Sequence, residues 1–147
     1  MSLRKTFKTD KTAEIEGVEV EVAMNEHNGK PITIRIARMS SSNKRYTKEL
    51  NRVTKPHMAA IQNDAMDNDL ARKMLQKVFV DTILLGWDNL PKSDLTGNEA
   101  DTELLDFTPE NALALFADMP DLYDDWESRA QKAAAFREAE REVSAGN

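Results

Sequence analysis

Residues 67–87 read DNDLARKMLQKVFVDTILLGW and carry the clearest helical pattern in the chain. Apolar side chains recur at the three- and four-residue spacing of one helical face, and charged side chains fill the other side. Asp67 or Asp69 is suited to cap the first turn, and Gly86 is suited to end the helix in a left-handed conformation. The pattern predicts a long buried helix with Trp87 folded back onto its end. The predicted inward residues are Leu70, Met74, Leu75, Val78, Phe79, Thr82, Ile83 and Leu85.

Alternating apolar residues precede this helix and predict a β-hairpin. Every second side chain is apolar in residues 18–24 and again in residues 32–36. Asn28-Gly29 lies between the two segments and supplies the positive φ angles of a turn. A lone hairpin is marginal in water, so its apolar face must be covered by a helix or another strand. The predicted fold class is α+β: an N-terminal β-hairpin or small antiparallel sheet followed by a mainly helical bundle.

Two further helix starts are marked by capping residues. Asn43 precedes an amphipathic segment at 44–53, which Pro56 closes. Thr108 is suited to cap a helix whose first position is Pro109, where a missing N–H costs nothing. The segment before Thr108 shows no period, and a structureless loop of that length is typically functional or mobile.

The sequence predicts one domain with unstructured ends, because 147 residues can bury one modest core. The first residues are polar, basic and unpatterned, which indicates a flexible arm. The predicted divisions are an arm at 1–12, a single domain at 13–136 and a solvated C-terminal tail at 137–147. Within the domain they are the hairpin at 13–38, helices at 43–86, an acidic loop at 88–106 and helices at 108–136.

The net charge of −6 hides an uneven distribution. Residues 1–86 carry 15 basic and 11 acidic side chains, whereas residues 87–128 carry 1 basic and 12 acidic side chains. A segment with a net charge of −11 repels phosphate, which argues against nucleic acid as its partner. It suits a basic protein surface, including the basic half of the same chain, and salt is expected to weaken such contacts.

Patterns of catalytic and metal-binding residues are missing from the sequence. With 0 cysteines, thiolate chemistry and cysteine–metal sites are excluded. His27 lies in a predicted turn and His57 beside a proline, and neither has a nucleophile at a motif spacing. Asp64, Asp67 and Asp69 lack the glycine and distal glutamate of a calcium loop. We therefore predict no enzyme activity, no cofactor and no metal, and the sequence has no apolar run long enough to predict a membrane partner.

A protein-binding module is the function class that remains. Trp87 lies at a predicted helix end beside the acidic loop, and Trp126 lies on a predicted acidic helix. Tryptophan at such positions is more often a core residue, but it is also favoured as an anchor in interfaces. The helix at 44–55 carries five basic residues and one acidic residue, so it is also the best candidate for nucleic acid. The candidate partner-binding residues are Trp87, Trp126, Tyr123, Lys44, Arg45, Lys48 and Arg52.

Four short segments follow one another in an order that is typical of one protein family. They are Ile36-Ala37-Arg38, Leu85-Gly86-Trp87, Phe107-Thr108-Pro109-Glu110-Asn111-Ala112 and Met119-Pro120-Asp121-Leu122. This order resembles that of the tail assembly chaperones of long-tailed bacteriophages. The resemblance covers roughly residues 14–142, and its most specific parts are Gly86-Trp87 and residues 108–111.

The resemblance implies a non-enzymatic role in tail morphogenesis. Members of that family bind the helical tape-measure protein, recruit tail-tube subunits around it and then leave, so the mature virion lacks them. The resemblance implies that the chain is the short form, made without a ribosomal frameshift, and that it acts in the host bacterial cytoplasm. It leaves open whether the protein forms an oligomer. Two alternatives remain: a phage structural protein retained in the virion, and a small regulatory protein that uses the basic helix at 44–55.

Overall fold

The computed structural model describes residues 2–137, and this part of the chain contains three strands and eight α-helices. The predicted α+β class is confirmed. Two 3-10 segments, Lys55–His57 and Ala133–Phe136, complete the regular structure of the described residues. In chain order the main elements are α1 (Leu3–Phe7), α2 (Lys11–Glu16), β1 (Val18–Asn25), β2 (Lys30–Ile36), α3 (Lys44–Thr54), α4 (Met58–Gln62), α5 (Asn68–Thr82), β3 (Leu84–Asp88), α6 (Ser93–Thr96), α7 (Pro109–Asp118) and α8 (Pro120–Gln131).

The three strands form one antiparallel sheet in the order β1-β2-β3. Val18 lies opposite Ile36 and Asn25 opposite Lys30, so β1 and β2 form the predicted hairpin. β2 is the central strand, and its Ile34 and Ile36 are fully buried. β3 extends the hairpin at its β2 edge, and helices cover the apolar face that a lone hairpin would leave in water.

An aromatic cluster joins three helices in the core. Phe79 of α5, Phe116 of α7 and two side chains of α8, Tyr123 and Trp126, meet with ring centroids 5.2–6.0 Å apart. The rings meet edge to face, an arrangement that adds to the stabilisation from burial alone. These rings and the isoleucines of β2 belong to one hydrophobic core.

The central helix is shorter than predicted and is followed by a strand. α5 ends at Thr82, and β3 pairs antiparallel with β2, with Gly86 opposite Arg35. The prediction that Gly86 ends the helix is therefore wrong. Residues 83–85 are uniformly apolar, and over so few residues periodicity does not distinguish a buried strand from a buried helix end. Pairing with β2 supplies hydrogen-bond partners for the backbone N–H and C=O groups of this segment. At the end of a helix, the last backbone carbonyls would have no partner within the helix.

The apolar face of α5 is buried only over its C-terminal half. Val78 and Phe79 are buried as predicted, whereas Leu70 is 43% exposed and Leu75 is 40% exposed. α3 and α4 contain no buried residue. α3, α4 and the first part of α5 therefore lie at the edge of the core, against which Tyr46 packs, and we refer to residues 44–77 as the outer helical region.

The N-terminal segment is helical where the sequence predicted an unstructured arm. The hydroxyl of Ser2 caps α1, and the carboxylate of Asp10 caps α2. Arg38 holds α2 against the end of the hairpin, because its guanidinium lies 2.7 Å from the carboxylate of Glu14. Helices of five and six residues are too short for an apolar period to be recognised.

The two ends of the described chain lie together. Arg137 forms an isolated β-bridge with Thr9, and its guanidinium lies 4.6 Å from the ring centroid of Phe7. The amide of Asp10 also donates to the carbonyl of Phe136. Of the predicted tail, Arg137 is therefore packed, and residues 138–147 lie outside the described residues.

Candidate functional site

Two of the predicted partner-binding residues belong to the core. Trp126 is 2% exposed and Tyr123 is 4% exposed. The Tyr123 hydroxyl donates to Glu127 on the same helix, and burial together with this carboxylate raises the pKa of the tyrosine. The prediction of these two side chains as surface contacts therefore needs correction. The spacing of aromatic residues on α8 is the spacing of a buried face, and the acidic residues between them occupy the exposed face.

Trp87 lies on β3 and is half-buried. Its indole N–H donates to the carbonyl of Leu105 at 2.8 Å, and its ring meets Phe107 edge to face at 4.9 Å. The ring centroid lies 6.5 Å from that of Trp126. Trp87 therefore packs between the sheet and the segment before α7, whereas the sequence pattern predicted that it would fold back onto the end of α5.

The four basic candidates on α3 are exposed. Arg45 donates to the backbone carbonyl of Asp81, and Arg52 pairs with Glu49 of its own helix. A cleft of about 470 Å³ between α3 and α5 is lined by Arg45, Lys48 and Arg52. Within residues 2–137, no ion pair joins α3 to the acidic segment at 87–128, whose own ion pairs are the local ones Lys92–Glu103 and Arg129–Asp125.

The outer helical region also exposes apolar side chains that the sequence pattern did not single out as a surface. They are Met58 and Ile61 of α4 and Leu70 and Leu75 of α5. An apolar helical stripe predicts burial, and it does not by itself tell whether the cover comes from the same chain or from a partner. The region therefore combines exposed apolar and basic side chains on adjacent helices.

A second groove lies between α5 and α7 and was not predicted. Its volume is about 500 Å³. Leu113, Phe116 and Ala117 of α7 supply apolar walls, and Arg72 and Lys73 of α5 stand at its edge. The sequence pattern assigned these cations to a solvated side of α5, because it did not show that α7 packs beside that side.

A polar network fastens the hairpin turn to the acidic loop. Asn89, at a φ of 63°, hydrogen-bonds with Asn25 and Asn28. The Nε2 atom of His27 lies 2.8 Å from the hydroxyl of Ser93. A histidine beside a serine can activate a nucleophile, and within residues 2–137 no hydrogen bond to the other ring nitrogen supplies the orienting group of a catalytic triad. The loop predicted to be structureless is held in place by these contacts and by α6.

Between residues 2 and 137, no three histidine or acidic side chains lie close enough to hold a metal ion. No helix in this range combines the length and apolar character that crossing a membrane requires. Among the described residues, the features that remain are the outer helical region and the groove between α5 and α7.

The sequence from residue 41 to residue 147 matches the family model described as YdaY prophage protein. The chain belongs to this family. The match indicates a phage-derived protein, and the matched YdaY region contains the whole outer helical region and both walls of the α5–α7 groove. No curated protein and no solved structure matches the chain.

Proposed function

We propose that this prophage protein is a non-enzymatic tail assembly chaperone that binds the tape-measure protein and helps to recruit tail-tube subunits. In this proposal it acts in the host cytoplasm and is absent from the mature virion. The phage origin supports the setting, and the order of segments that includes Thr108-Pro109-Glu110-Asn111 supports the specific role.

The observation that carries the proposal is the exposure of apolar side chains in the outer helical region. Leu70 and Leu75 lie on α5, and neither α3, which packs against α5, nor α4 contains a buried residue. Exposed apolar side chains on helices that leave them uncovered are typical of a surface that binds another protein. A chaperone of a fibrous helical client requires such a surface, and the neighbouring basic side chains keep it hydrated while it is free.

A regulatory protein that binds nucleic acid through α3 is the weaker candidate. Phosphate binding requires cations that are free to replace counterions. Arg45 and Arg52 already donate hydrogen bonds to other groups of this chain. Of the four basic candidates, only the side chains of Lys44 and Lys48 make no hydrogen bond within the described residues. The acidic segment at 87–128, with its net charge of −11, would also repel the phosphates of nucleic acid.

The test is co-expression of the tagged chain with the tape-measure protein of the same phage, followed by size-exclusion chromatography. We expect a complex in cell extracts and no copy of the chain in purified virions. The Leu70→Ser/Leu75→Ser variant should lose the tape-measure protein without losing its fold, because both side chains are exposed.

The matched control is Leu104→Ser, since Leu104 is 50% exposed but lies on the acidic loop. This control should keep the complex. Stoichiometric retention of the chain in virions would favour the structural alternative, and a DNA mobility shift without tape-measure binding would favour the regulatory one.

A further inference from the structure

We infer that the groove between α5 and α7 binds an amphipathic helix of a partner protein whose apolar stripe is flanked by acidic residues. The inference rests on the proposed protein-binding function and specifies the ligand of one site. The groove is separate from the cleft beside α3, because it lies on the α7 side of α5.

The shape of the groove favours a helical ligand. Its two walls are helices, and a third helix packs its ridges into a groove of this kind. Leu113, Ala117 and Pro120 offer the ligand an apolar surface at the top of the buried Phe116 ring.

The charge of the groove edge favours an acidic ligand. Arg72 and Lys73 make no ion pair within the described residues, whereas Lys77 on the same helix is paired with Asp81 at 2.7 Å. One carboxylate, Asp69, lines the groove, and it lies in the first turn of α5, where the positive end of the helix stabilises it. Arg72 and Lys73, which have no ion-pair partner in residues 2–137, lie beside an apolar wall. This arrangement is complementary to a helix that carries Glu or Asp beside its apolar stripe.

A second copy of this chain does not supply such a helix from its described residues. α8 is the acidic helix, but its apolar residues Tyr123, Trp126 and Ala130 are buried in its own core. α1 exposes Leu3 and Phe7, but it carries basic residues. Neither of these two helices meets both requirements, so we propose that the ligand is a helix of a different protein.

The test uses two synthetic peptides of about 20 residues, above the length of roughly 15 residues below which isolated helices are marginal. Both carry the same leucine stripe; one flanks it with glutamate and the other with lysine. We expect the full chain to bind the glutamate peptide at low salt, and to bind the lysine peptide about tenfold more weakly. Equal affinity for the two peptides, or no binding of either, would overturn the inference.

Two variants locate the binding. Arg72→Glu/Lys73→Glu should reverse the preference between the peptides, and Ala117→Trp should block both by filling the groove. The matched control is Lys30→Glu/Lys132→Glu, which makes the same charge change at two exposed positions outside the groove. Thermal unfolding of each variant shows whether it is folded, and an unchanged preference in a folded Arg72→Glu/Lys73→Glu variant would overturn the inference.

Failure of the inference and failure of the proposed function are distinguishable. If the tape-measure protein co-purifies equally with wild type and with Ala117→Trp, the proposed function stands and the groove is not its site. If the tape-measure protein does not co-purify with wild type while the glutamate peptide binds in the groove, the groove stands and the proposed client is wrong.

Discussion

Two glycine substitutions test whether the segment after α5 is a strand. Gly17 precedes β1 with a φ of 90° and a ψ of 165°, a conformation that is essentially restricted to glycine and costs other residues about 1–3 kcal/mol. A Cβ atom there would lie 2.8 Å from side-chain carbons of Arg35 and Leu85 and 3.1 Å from the carbonyl oxygen of Ile36. The overlap adds to the backbone cost, so Gly17→Ala should lose about 2–4 kcal/mol of unfolding free energy.

Gly86→Ala is the matched comparison and has the opposite expectation. Gly86 lies in β3 without a positive φ, and a Cβ atom there would meet no heavy atom within 4 Å. Alanine lowers the entropy of the unfolded chain, so the variant should be neutral or more stable by up to about 1 kcal/mol. If Gly86 were a left-handed residue at a helix end, the same change would cost about 1–2 kcal/mol.

Urea denaturation followed by tryptophan fluorescence measures both variants against wild type. A loss of about 2–4 kcal/mol also corresponds to a fall of roughly 10 °C in melting temperature for a chain of this size. Destabilisation by Gly86→Ala together with a neutral Gly17→Ala would refute the strand assignment and the close packing of α2 on the sheet.

Three further predictions follow from single contacts. Trp87→Phe should cost at least about 1 kcal/mol of unfolding free energy, since it leaves the carbonyl of Leu105 without its donor; equal denaturation midpoints would contradict this. Thr108→Ala should cost about 0.5–2 kcal/mol by removing the cap of α7, and Thr108→Ser, which keeps the hydroxyl, is its control. Burial alone would raise the pKa of Glu14, but hydrogen bonds, including that from Arg38, lower it below the ordinary 4.5. The stability that Glu14 contributes is therefore present above about pH 4.5 and is lost as the pH falls below it. The melting temperature of Glu14→Gln should therefore fall less steeply with decreasing pH than that of wild type. Parallel plots of melting temperature against pH for the two proteins would contradict this.

Helix starts were predictable because they depend on local chemistry. Asn43, Asp67 and Thr108 each accept a hydrogen bond from a first-turn amide, as their side chains and positions predicted. The hairpin was predictable for the same reason, since its turn and its alternation are local. The alternation fails where the register shifts between Glu21 and Ala23, and Met24 is left exposed.

Features that depend on distant parts of the chain were not predictable. β3 forms because β2 offers it hydrogen-bond partners, and the apolar residues 83–85 suit a strand as well as a helix. Trp126 and Leu70 lie on apolar helical stripes of the same kind, yet Trp126 is buried by the aromatic cluster and Leu70 has no cover. The α5–α7 groove required knowledge of which helices are neighbours, which no spacing within α5 contains.

The measurement that tests the central claim most directly is photo-crosslinking in cells during tail assembly. A photoreactive amino acid replaces Lys73 at the groove edge, and in a second strain it replaces Lys30 at the hairpin turn. We predict a crosslink from position 73 to the tape-measure protein before virions appear, and none from position 30. A crosslink from position 73 to a protein of the mature virion other than the tape-measure protein, or no crosslink in cells that assemble tails, would contradict the account.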